Sequence, residues 1–324
     1  MITSALLGFA LVICFVIGSG VEDVAHAMLL LGWGLVPITL FHLVPLFCSA
    51  LSWRDLLPPS NRLGVLSVTW IRWVRESINA LLPVAGVGGD VICARLAHLR
   101  GVPQAQAAAS MVVDVTVGAT TQLVFVMIGV ALLLAHSTEP AVLAVASVVL
   151  VGLVIFVAAI AVFLLFQHRG MWAFSAKIAG RLLRNERLSS IAGSASAIDD
   201  AVVAVYRDRS AFCRANVVRF LGWTAGTGEI WLVMQLLGHP INVVDAFILE
   251  SLGAGVRAAA FIVPGQLGIL EGGFVLFGAL FGLPAATALA ISLSRRVREL
   301  ILGVPGLLVW HWVEGNGSSR ALGR

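Results

Sequence analysis

The chain has 324 residues, of which 59% are hydrophobic and only 12% are charged. Soluble domains carry about 25% charged residues, so this composition excludes a soluble globular protein and predicts an integral membrane protein. The formal net charge of +4 is too small to indicate a nucleic-acid partner, and the position of the positive charges along the chain is more informative than their sum.

The first apolar stretch, residues 4–20, has two interpretations. One is a signal-peptide core, because Ala25-His26-Ala27 behind it matches a small-residue cleavage pattern. The other is a retained membrane span. Residues 1–4 contain no Lys or Arg, which the start of a signal peptide normally carries, so we expect a retained span.

Six apolar segments are long enough to cross a bilayer. A transmembrane helix needs about 20 consecutive, largely apolar residues. The segments that meet this condition are approximately 4–20, 28–51, 105–135, 141–167, 211–237 and 285–312.

Two further regions, 64–100 and 243–281, are apolar but broken. Proline and glycine interrupt both, beginning at Pro83 in the first and at Pro264 in the second, and these residues end or bend a helix. We therefore predict that each region is a pair of shorter helices joined at the bend. The predicted fold class is an all-α polytopic membrane protein with about six full spans and two re-entrant, broken-helix hairpins.

The two broken regions also predict an internal repeat. One constant offset of 181 residues joins five pairs of positions: Pro83 with Pro264, Asp90 with Glu271, Gly101 with Gly282, Pro103 with Pro284, and Asp114 with Arg295. Such agreement at a fixed spacing is typical of repeated structural units. We place the repeats at about 28–135 and 211–312, within a single membrane domain that covers residues 1–324.

Positive charge predicts the orientation of the chain. Nine Lys or Arg residues but only four acidic residues lie between Gln167 and Phe220, whereas loops 136–140 and 238–242 contain no Lys or Arg. Because positive loops stay in the cytoplasm, we expect both termini there. The first hairpin then enters from the cytoplasmic face and the second from the outer face. Inverted repeats of this kind, with broken helices near the midplane, are a recurring design of secondary transporters.

Residues 168–210 are too polar to span the membrane. Apolar residues recur there at helical spacing beside Lys177, Arg181 and Arg184, which is typical of a basic amphipathic helix on cytoplasmic headgroups. A solvated linker helix is the alternative interpretation.

Ionisable residues within the apolar regions are the candidate functional residues. Each costs at least about 2.5–3.5 kcal/mol at the bilayer centre, so such residues need partners or water. The candidates for substrate binding and translocation are Arg75, Glu76, Asn79, Asp90, Arg95, Asp114, Arg257, Gln266, Glu271 and Arg295.

Two roles are open for these charges. They form a polar groove along which a charged group crosses, or they are structural ion pairs that hold the two halves together. We expect Asp114 and Arg295 to face each other, and we group Arg75 with Asp90 and Arg257 with Glu271.

Helix starts after Pro83 and Pro264 would direct their N-terminal dipoles toward the bilayer centre, which favours anions. With Arg75 and Arg257 nearby, a phosphate-bearing headgroup is the expected guest. Asp90 and Glu271 then either balance the arginines or carry protons.

No cofactor or metal is predicted. The four cysteines and seven histidines lack zinc or disulfide spacing, and the chain contains no phosphate-binding loop or nucleophile elbow.

The broken regions carry a family resemblance. The segments involved are Asn79-x-x-x-Pro83 with Gly88-Gly89-Asp90 and Arg95, Pro264-Gly265-Gln266-Leu267-Gly268-Ile269-Leu270-Glu271-Gly272, and the later Arg295. They resemble the lysylphosphatidylglycerol synthase transmembrane region, a flippase-like membrane family. Many relatives have Gly-Glu where this chain has Gly89-Asp90, and this departure is similar to the hopanoid-associated HpnL-like branch.

The resemblance implies a lipid flippase or transporter of the cell inner membrane, with an anionic phospholipid or a hopanoid as substrate and lipid-biosynthesis proteins as partners. The soluble aminoacyl-transferring domain of bifunctional relatives is absent from this sequence, so synthase activity is not expected. Two alternatives remain. One is an intramembrane lipid-modifying enzyme that uses Asp90 and Glu271 as acid and base. The other is a non-catalytic scaffold of a lipid-synthesis complex.

Overall fold

The computed structural model describes residues 21–82, 88–136, 139–169, 188–259 and 268–321, and no strand occurs in these ranges. The α-helices are α1 (Val21–Leu31), α2 (Leu35–Phe41), α3 (Leu43–Leu56), α4 (Val65–Leu81), α5 (Gly88–Leu99), α6 (Gln104–His136), α7 (Pro140–His168), α8 (Leu188–Arg207), α9 (Arg209–Leu236), α10 (Val243–Ala259), α11 (Ile269–Leu280) and α12 (Ala285–Ala321).

Helices α1, α2 and α3 follow one another almost without interruption. A short 3₁₀ turn, Gly32–Gly34, separates α1 from α2, and the single residue His42 separates α2 from α3. Pro45 explains the second break, because it has no backbone N–H to donate to the carbonyl of Phe41, four residues earlier. The sequence therefore places a weak point in the backbone beside His42.

In the part of the chain that the structure describes, three helical stretches are both long and apolar enough to cross a membrane: Met28–Leu56, Gln104–His136 and Val142–Gln167. Helices α9 and α12 are also long enough to span a membrane, with 28 and 37 residues, but they carry charged residues in their interiors. The chain is an all-α polytopic membrane protein, as predicted. The expected first span, residues 4–20, lies outside the described residues.

Both broken regions consist of paired short helices. Helices α4 and α10 have 17 residues each, and α5 and α11 have 12 residues each. At 1.5 Å per residue these helices are about 25 and 18 Å long, too short to cross a hydrocarbon core of about 30 Å. Within each pair the two helices pack against each other. Their joints, 83–87 and 260–267, lie outside the described residues.

The offset of 181 residues recurs in the helix boundaries. Adding 181 to the limits of α5 gives 269 and 280, the limits of α11, and adding 181 to the first residue of α6 gives 285, the first residue of α12. Each of three helix contacts joins one repeat to the other: α4 packs against α12, α6 packs against α10, and α3 packs against α9.

The turns after the two hairpins also match. Gly101 and Gly282 have φ of 96° and 68°, a conformation that favours glycine. The N–H of Gly101 donates to the carbonyl of His98, and the N–H of Gly282 donates to that of Ala279, again 181 residues later. Glycine in this position ends the helix in the same way in both halves.

The opposite orientation of the two repeats stays a prediction, and cysteine labelling tests it. In a cysteine-free background, Arg100→Cys and Pro284→Cys place one thiol at an exposed position after each hairpin. A membrane-impermeant maleimide applied to vesicles of known orientation is expected to label them from opposite sides. A protein that retains only the exposed native Cys213 should be labelled from the same side as Arg100→Cys. Labelling of both engineered thiols from one side contradicts the inverted arrangement.

Close glycine contacts join the helices that pack across the two halves. A Cβ at Gly129 of α6 would overlap the hydroxyl of Ser251 in α10, and a Cβ at Gly306 of α12 would overlap the hydroxyl of Ser77 in α4. Small residues allow such close approach of membrane helices.

We expect Gly129→Ala to lower the free energy of unfolding by about 1–3 kcal/mol, because the added methyl group forces α6 away from α10. Gly118→Ala on the same helix is the matched control. Its Cβ would meet nothing within 4 Å, so it should be neutral or stabilise by up to about 1 kcal/mol through helix propensity. Unfolding by SDS in mixed micelles measures both. Equal stability of the two variants would contradict this packing.

Helix α8 covers the side of α6. Val202 of α8 is buried in a cluster with Val113 and Val117 of α6, and the hydroxyl of Tyr206 donates to Gln167 Oε1 at 2.6 Å. This part of the 168–210 segment is therefore docked on the helical bundle. The basic residues Lys177, Arg181 and Arg184, on which the headgroup prediction rests, lie outside the described residues.

Candidate functional site

A buried ion cluster joins four helices. The Asp114 carboxylate of α6 accepts hydrogen bonds from Arg72 of α4, at 2.6 Å, and from Arg219 of α9. Ser49 of α3 accepts from Nε of Arg72 at 2.6 Å and from Arg219. The side chains of Arg72 and Asp114 are each only 1% exposed. We call Ser49, Arg72, Asp114 and Arg219 the Asp114 cluster; it contains one carboxylate and two guanidinium groups.

The first hairpin is closed by polar contacts between α4 and α5. Arg75 Nε donates to Asp90 Oδ1, and the side-chain oxygen of Asn79 accepts from the N–H of Gly89 at 2.9 Å. A Cβ at Gly89 would overlap the Arg75 carbonyl and the Asn79 side chain, so only glycine permits this approach. The predicted residues Arg75, Asn79 and Asp90 are therefore brought together, next to the start of α5.

A second cluster contains a histidine between two carboxylates. His42 Nδ1 is 3.2 Å from Glu229 Oε2 of α9, and Nε2 is 3.6 Å from Glu76 Oε2 of α4. Arg298 of α12 donates to the other oxygen of Glu229. We call His42, Glu76, Glu229 and Arg298 the His42 cluster. A Cβ at Gly228 would overlap the Phe41 ring, so this glycine lets α9 carry Glu229 close to the break at His42.

The second hairpin carries its own cluster. Glu250 of α10 accepts from Arg257 Nη2 at 2.8 Å and from Arg295 of α12. The guanidinium carbon of Arg295 also lies 5.1 Å from the centre of the Phe274 ring, a cation–π contact. We call Glu250, Arg257 and Arg295 the Glu250 cluster; it again contains one carboxylate and two guanidinium groups.

Glu271 occupies the start of α11 and is completely buried, with 0% of its side chain exposed. Its carboxylate accepts from the N–H of Gly268 at 2.8 Å, from Ser292 at 3.2 Å and from Arg296 Nε at 3.2 Å. Arg296 also donates to Glu299 at 3.2 Å. Glu271 thus caps its helix and anchors α11 to α12.

Exposure varies widely among these charges, and Glu229, Glu250, Arg295, Arg219 and Arg298 are intermediate, with 4–10% of each side chain exposed. Asp114, Arg72 and Glu271 are almost fully buried, with 0–1% of each side chain exposed. A second set keeps part of its surface: Glu76 36%, Glu299 26%, Arg257 21%, His42 20%, Arg296 19%, Arg75 17% and Asp90 15%. Each member of the second set pairs with another ionisable group and is not completely enclosed by the protein.

Two sequence groupings of the charges were wrong. Asp114 binds Arg72 and Arg219, while Arg295 binds Glu250, so Asp114 and Arg295 are not partners. Arg257 binds Glu250 rather than Glu271. The reason is that the helical frame recurs at the 181-residue offset, whereas most charged positions do not recur with it.

Two other candidates lie elsewhere. Arg95 is 57% exposed and pairs with Glu314 at 2.9 Å, near the end of α12, away from the buried clusters. Gln266 lies outside the described residues. The grouping of Arg75 with Asp90 is confirmed by their ion pair.

Seven members of the clusters are absent from the ten candidates of the sequence analysis: His42, Ser49, Arg72, Arg219, Glu229, Glu250 and Arg298. Arg219 was counted with the cytoplasmic charges, but it lies ten residues into α9 and its side chain is only 10% exposed. Glu229 carried a usable signal, because it is an acidic residue inside a predicted span. A lone histidine or serine in an apolar span carries much less information.

Within the described ranges, no three His, Cys, Asp or Glu side chains come together as metal ligands.

The fold and these clusters define a class of protein: a polytopic α-helical membrane protein in which two broken-helix hairpins are joined by a network of intramembrane charges. Residues 1–306 match the Lysylphosphatidylglycerol synthase TM region family, and the chain belongs to that family. This confirms the predicted family and associates the chain with membrane lipids; assignment to the hopanoid-associated branch stays a prediction. Searches of curated proteins and of solved structures gave no match.

Proposed function

We propose that this protein translocates the headgroup of a membrane lipid across the bilayer, along polar groups between its two hairpins. A phospholipid or a hopanoid-type lipid is the substrate. The observation that carries the proposal is the partly exposed set of charges, contributed by both hairpins. Charges kept only for packing would be expected to be as completely enclosed as Asp114 and Glu271 are.

The second support is the position of these groups along their helices. Arg75 lies ten residues after the start of α4, and Arg257 lies fourteen residues after the start of α10, which is about 15 and 21 Å along each helix axis. In the inverted arrangement the two arginines are therefore approached from opposite faces of the membrane. With a hydrocarbon core of about 30 Å, both arginines then lie in its interior, about 15 Å and 9 Å from the cytoplasmic side, where a headgroup entering from either face could meet them.

Unsatisfied donors favour an anionic headgroup. Among the described residues, Nη2 of Arg296 and the Nε atoms of Arg62, Arg219 and Arg295 are buried without a hydrogen-bond partner. Guanidinium groups bind phosphate through paired N–H donors. A phosphate that reached Arg296 would supply the acceptor that this nitrogen lacks.

The proposal includes the cellular setting. The protein acts in the cell inner membrane with both termini in the cytoplasm, it moves lipid without changing it chemically, and lipid-biosynthesis proteins are its partners.

Reconstitution tests the proposal. Purified protein is placed in phosphatidylcholine vesicles that contain a trace of fluorescent phosphatidylglycerol, phosphatidylethanolamine or phosphatidylcholine, and dithionite quenches the label in the outer leaflet. We expect the protein to increase the fraction of phosphatidylglycerol that dithionite can reach, relative to protein-free vesicles. Mass spectrometry of the same lipids should show no chemical change.

The other outcomes distinguish the alternatives. A modified lipid indicates an intramembrane enzyme. Neither modification nor movement of any of these lipids, or of a labelled hopanoid, overturns the proposal and leaves the scaffold role. Movement of the hopanoid alone retains the transport function but assigns a different substrate.

A further inference from the structure

His42 lies at the centre of its membrane span. The span runs from Met28 to Leu56, and His42 is fourteen residues from each end, or about 21 Å along the helix axis. Its backbone is the single-residue break between α2 and α3. An imidazole, the side chain whose ordinary pKa lies nearest neutral pH, therefore falls at the middle of an apolar helical stretch long enough to span the membrane, at a weak point of its backbone.

Glu76 is paired with a histidine, whereas the other buried or partly buried carboxylates near the hairpins are paired with arginines. Asp90, Asp114, Glu229, Glu250, Glu271 and Glu299 each pair with at least one arginine. For Glu76, the ion-pair partner is His42. Because a histidine is positive only when it is protonated, the strength of this ion pair depends on proton binding.

The charged groups around His42 come from three helices. Helix α4 presents Glu76, beside Arg72 and Arg75, which are bound to Asp114 and Asp90. Helix α9 presents Glu229, and α12 presents Arg298, which is bound to Glu229, with Arg295 nearby. Both ring nitrogens of His42 face carboxylate oxygens, so the protonated ring can donate on both sides, whereas the neutral ring can donate on one side only.

The network as a whole is electrically balanced when His42 is neutral. Among the described residues, it contains seven carboxylates and seven guanidinium groups. The carboxylates are Glu76, Asp90, Asp114, Glu229, Glu250, Glu271 and Glu299. The guanidinium groups are Arg72, Arg75, Arg219, Arg257, Arg295, Arg296 and Arg298. A lipid phosphate that entered would add one negative charge to a region of low dielectric constant. One proton on His42 would restore the balance.

We propose that His42 is a proton-binding site that couples the uptake of one proton to the translocation of one anionic lipid headgroup. The inference rests on the proposed lipid translocation and adds to it the coupling ion and the charge of the substrate. The proton comes from water that reaches the exposed edge of Glu76 and binds the imidazole nitrogen that faces Glu76. It leaves when the phosphate departs and the excess positive charge is no longer balanced.

The proton site can be tested without transport. Full-length protein in nanodiscs, labelled with ¹⁵N in its histidines, is titrated by NMR, and the His42 signal is assigned from its loss in His42→Gln. We expect the His42 signal to titrate within the pH range over which the protein stays folded, and its midpoint to move by at least one pH unit to lower pH in Glu76→Gln, since a negative neighbour is removed. The exposed His136, which contacts the Leu132 carbonyl, is the internal control and should not move. No titration in this range, or no effect of Glu76→Gln, overturns the proposal.

The coupling is tested in vesicles that contain fluorescent phosphatidylglycerol and an internal pH indicator. We expect a pH gradient to accelerate lipid movement at least tenfold, the lipid to carry protons with it, and both effects to be lost in His42→Gln. Lipid movement that is indifferent to the gradient overturns the coupling and leaves the proposed function intact. A normal NMR titration without any lipid movement instead overturns the proposed function and the coupling, and leaves His42 as a proton site only.

Discussion

Asp114→Asn is expected to lower the free energy of unfolding by about 3–5 kcal/mol, the largest stability effect of any single substitution considered for this chain. The reason is the charge count of the Asp114 cluster. The wild-type carboxylate balances one of its two guanidinium partners and hydrogen-bonds both, while the amide leaves Arg72 and Arg219 buried with no counter-ion. SDS-induced unfolding in mixed micelles measures the loss.

Asp55→Asn is the matched control. Asp55 also faces two arginines, Arg62 at 3.9 Å and Arg214 at 3.4 Å, but these pairs are partly exposed. Pairs of this kind contribute about 0–1 kcal/mol, so Asp55→Asn should have little effect. Equal stability of Asp114→Asn and wild type would contradict the cluster as the structure shows it.

A triple substitution separates structural from functional charge in the Asp114 cluster. Replacing Arg72, Asp114 and Arg219 together by Met, Leu and Met removes every charge, and apolar replacement of a buried ionic triad is often neutral or stabilising. We expect the triple variant to recover wild-type stability. Recovery of lipid movement as well would show that this cluster holds α4, α6 and α9 together and takes no part in translocation.

Arg257→Gln is expected to slow the movement of phosphatidylglycerol at least tenfold while the protein stays folded. Tenfold corresponds to about 1.4 kcal/mol, a modest value for the loss of one guanidinium–phosphate contact. Folding should survive because Glu250 keeps Arg295 as a partner, and because Arg257 is partly exposed, with 21% of its side chain accessible. The dithionite assay measures the rate, and the elution profile in detergent reports folding.

Arg214→Gln removes an arginine at the surface, where the Arg214 side chain is 53% exposed and lies 3.4 Å from Asp55. It changes the net charge of the protein as Arg257→Gln does, so it controls for a general electrostatic effect on anionic lipid. Equal slowing in both variants would assign the effect to net charge rather than to a site. Unchanged transport in Arg257→Gln would remove the Glu250 cluster from the proposed path.

The two repeats differ in how far their equivalent carboxylates are enclosed. Glu271 and Asp90 occupy equivalent positions near a helix start, yet Glu271 is sealed by Arg296 and Ser292, whereas Asp90 keeps 15% of its side chain exposed in its pair with Arg75. A repeated frame thus supports one enclosed and one accessible carboxylate. The two carboxylates at equivalent positions of the repeats therefore differ in their access to solvent.

By itself the sequence determined the membrane class, the limits of α6 and α7 and the short apolar helices on each side of the two Pro/Gly breaks, but not the break at His42 within the predicted span 28–51. These properties are local: the length of an apolar run, the missing N–H of proline and the freedom of glycine act within a few residues. The predicted segments 105–135 and 141–167 therefore differ from α6 and α7 by one residue at each end.

Only the tertiary structure decided which charges meet. Asp114 binds partners 42 and 105 residues away, and His42 meets Glu229 across 187 residues. An ion pair depends on the distance between two side chains, and that distance is set by how whole helices pack. Glycine contacts such as Gly129 on Ser251 and Gly228 on Phe41 set that packing, and a linear pattern of charges does not contain it.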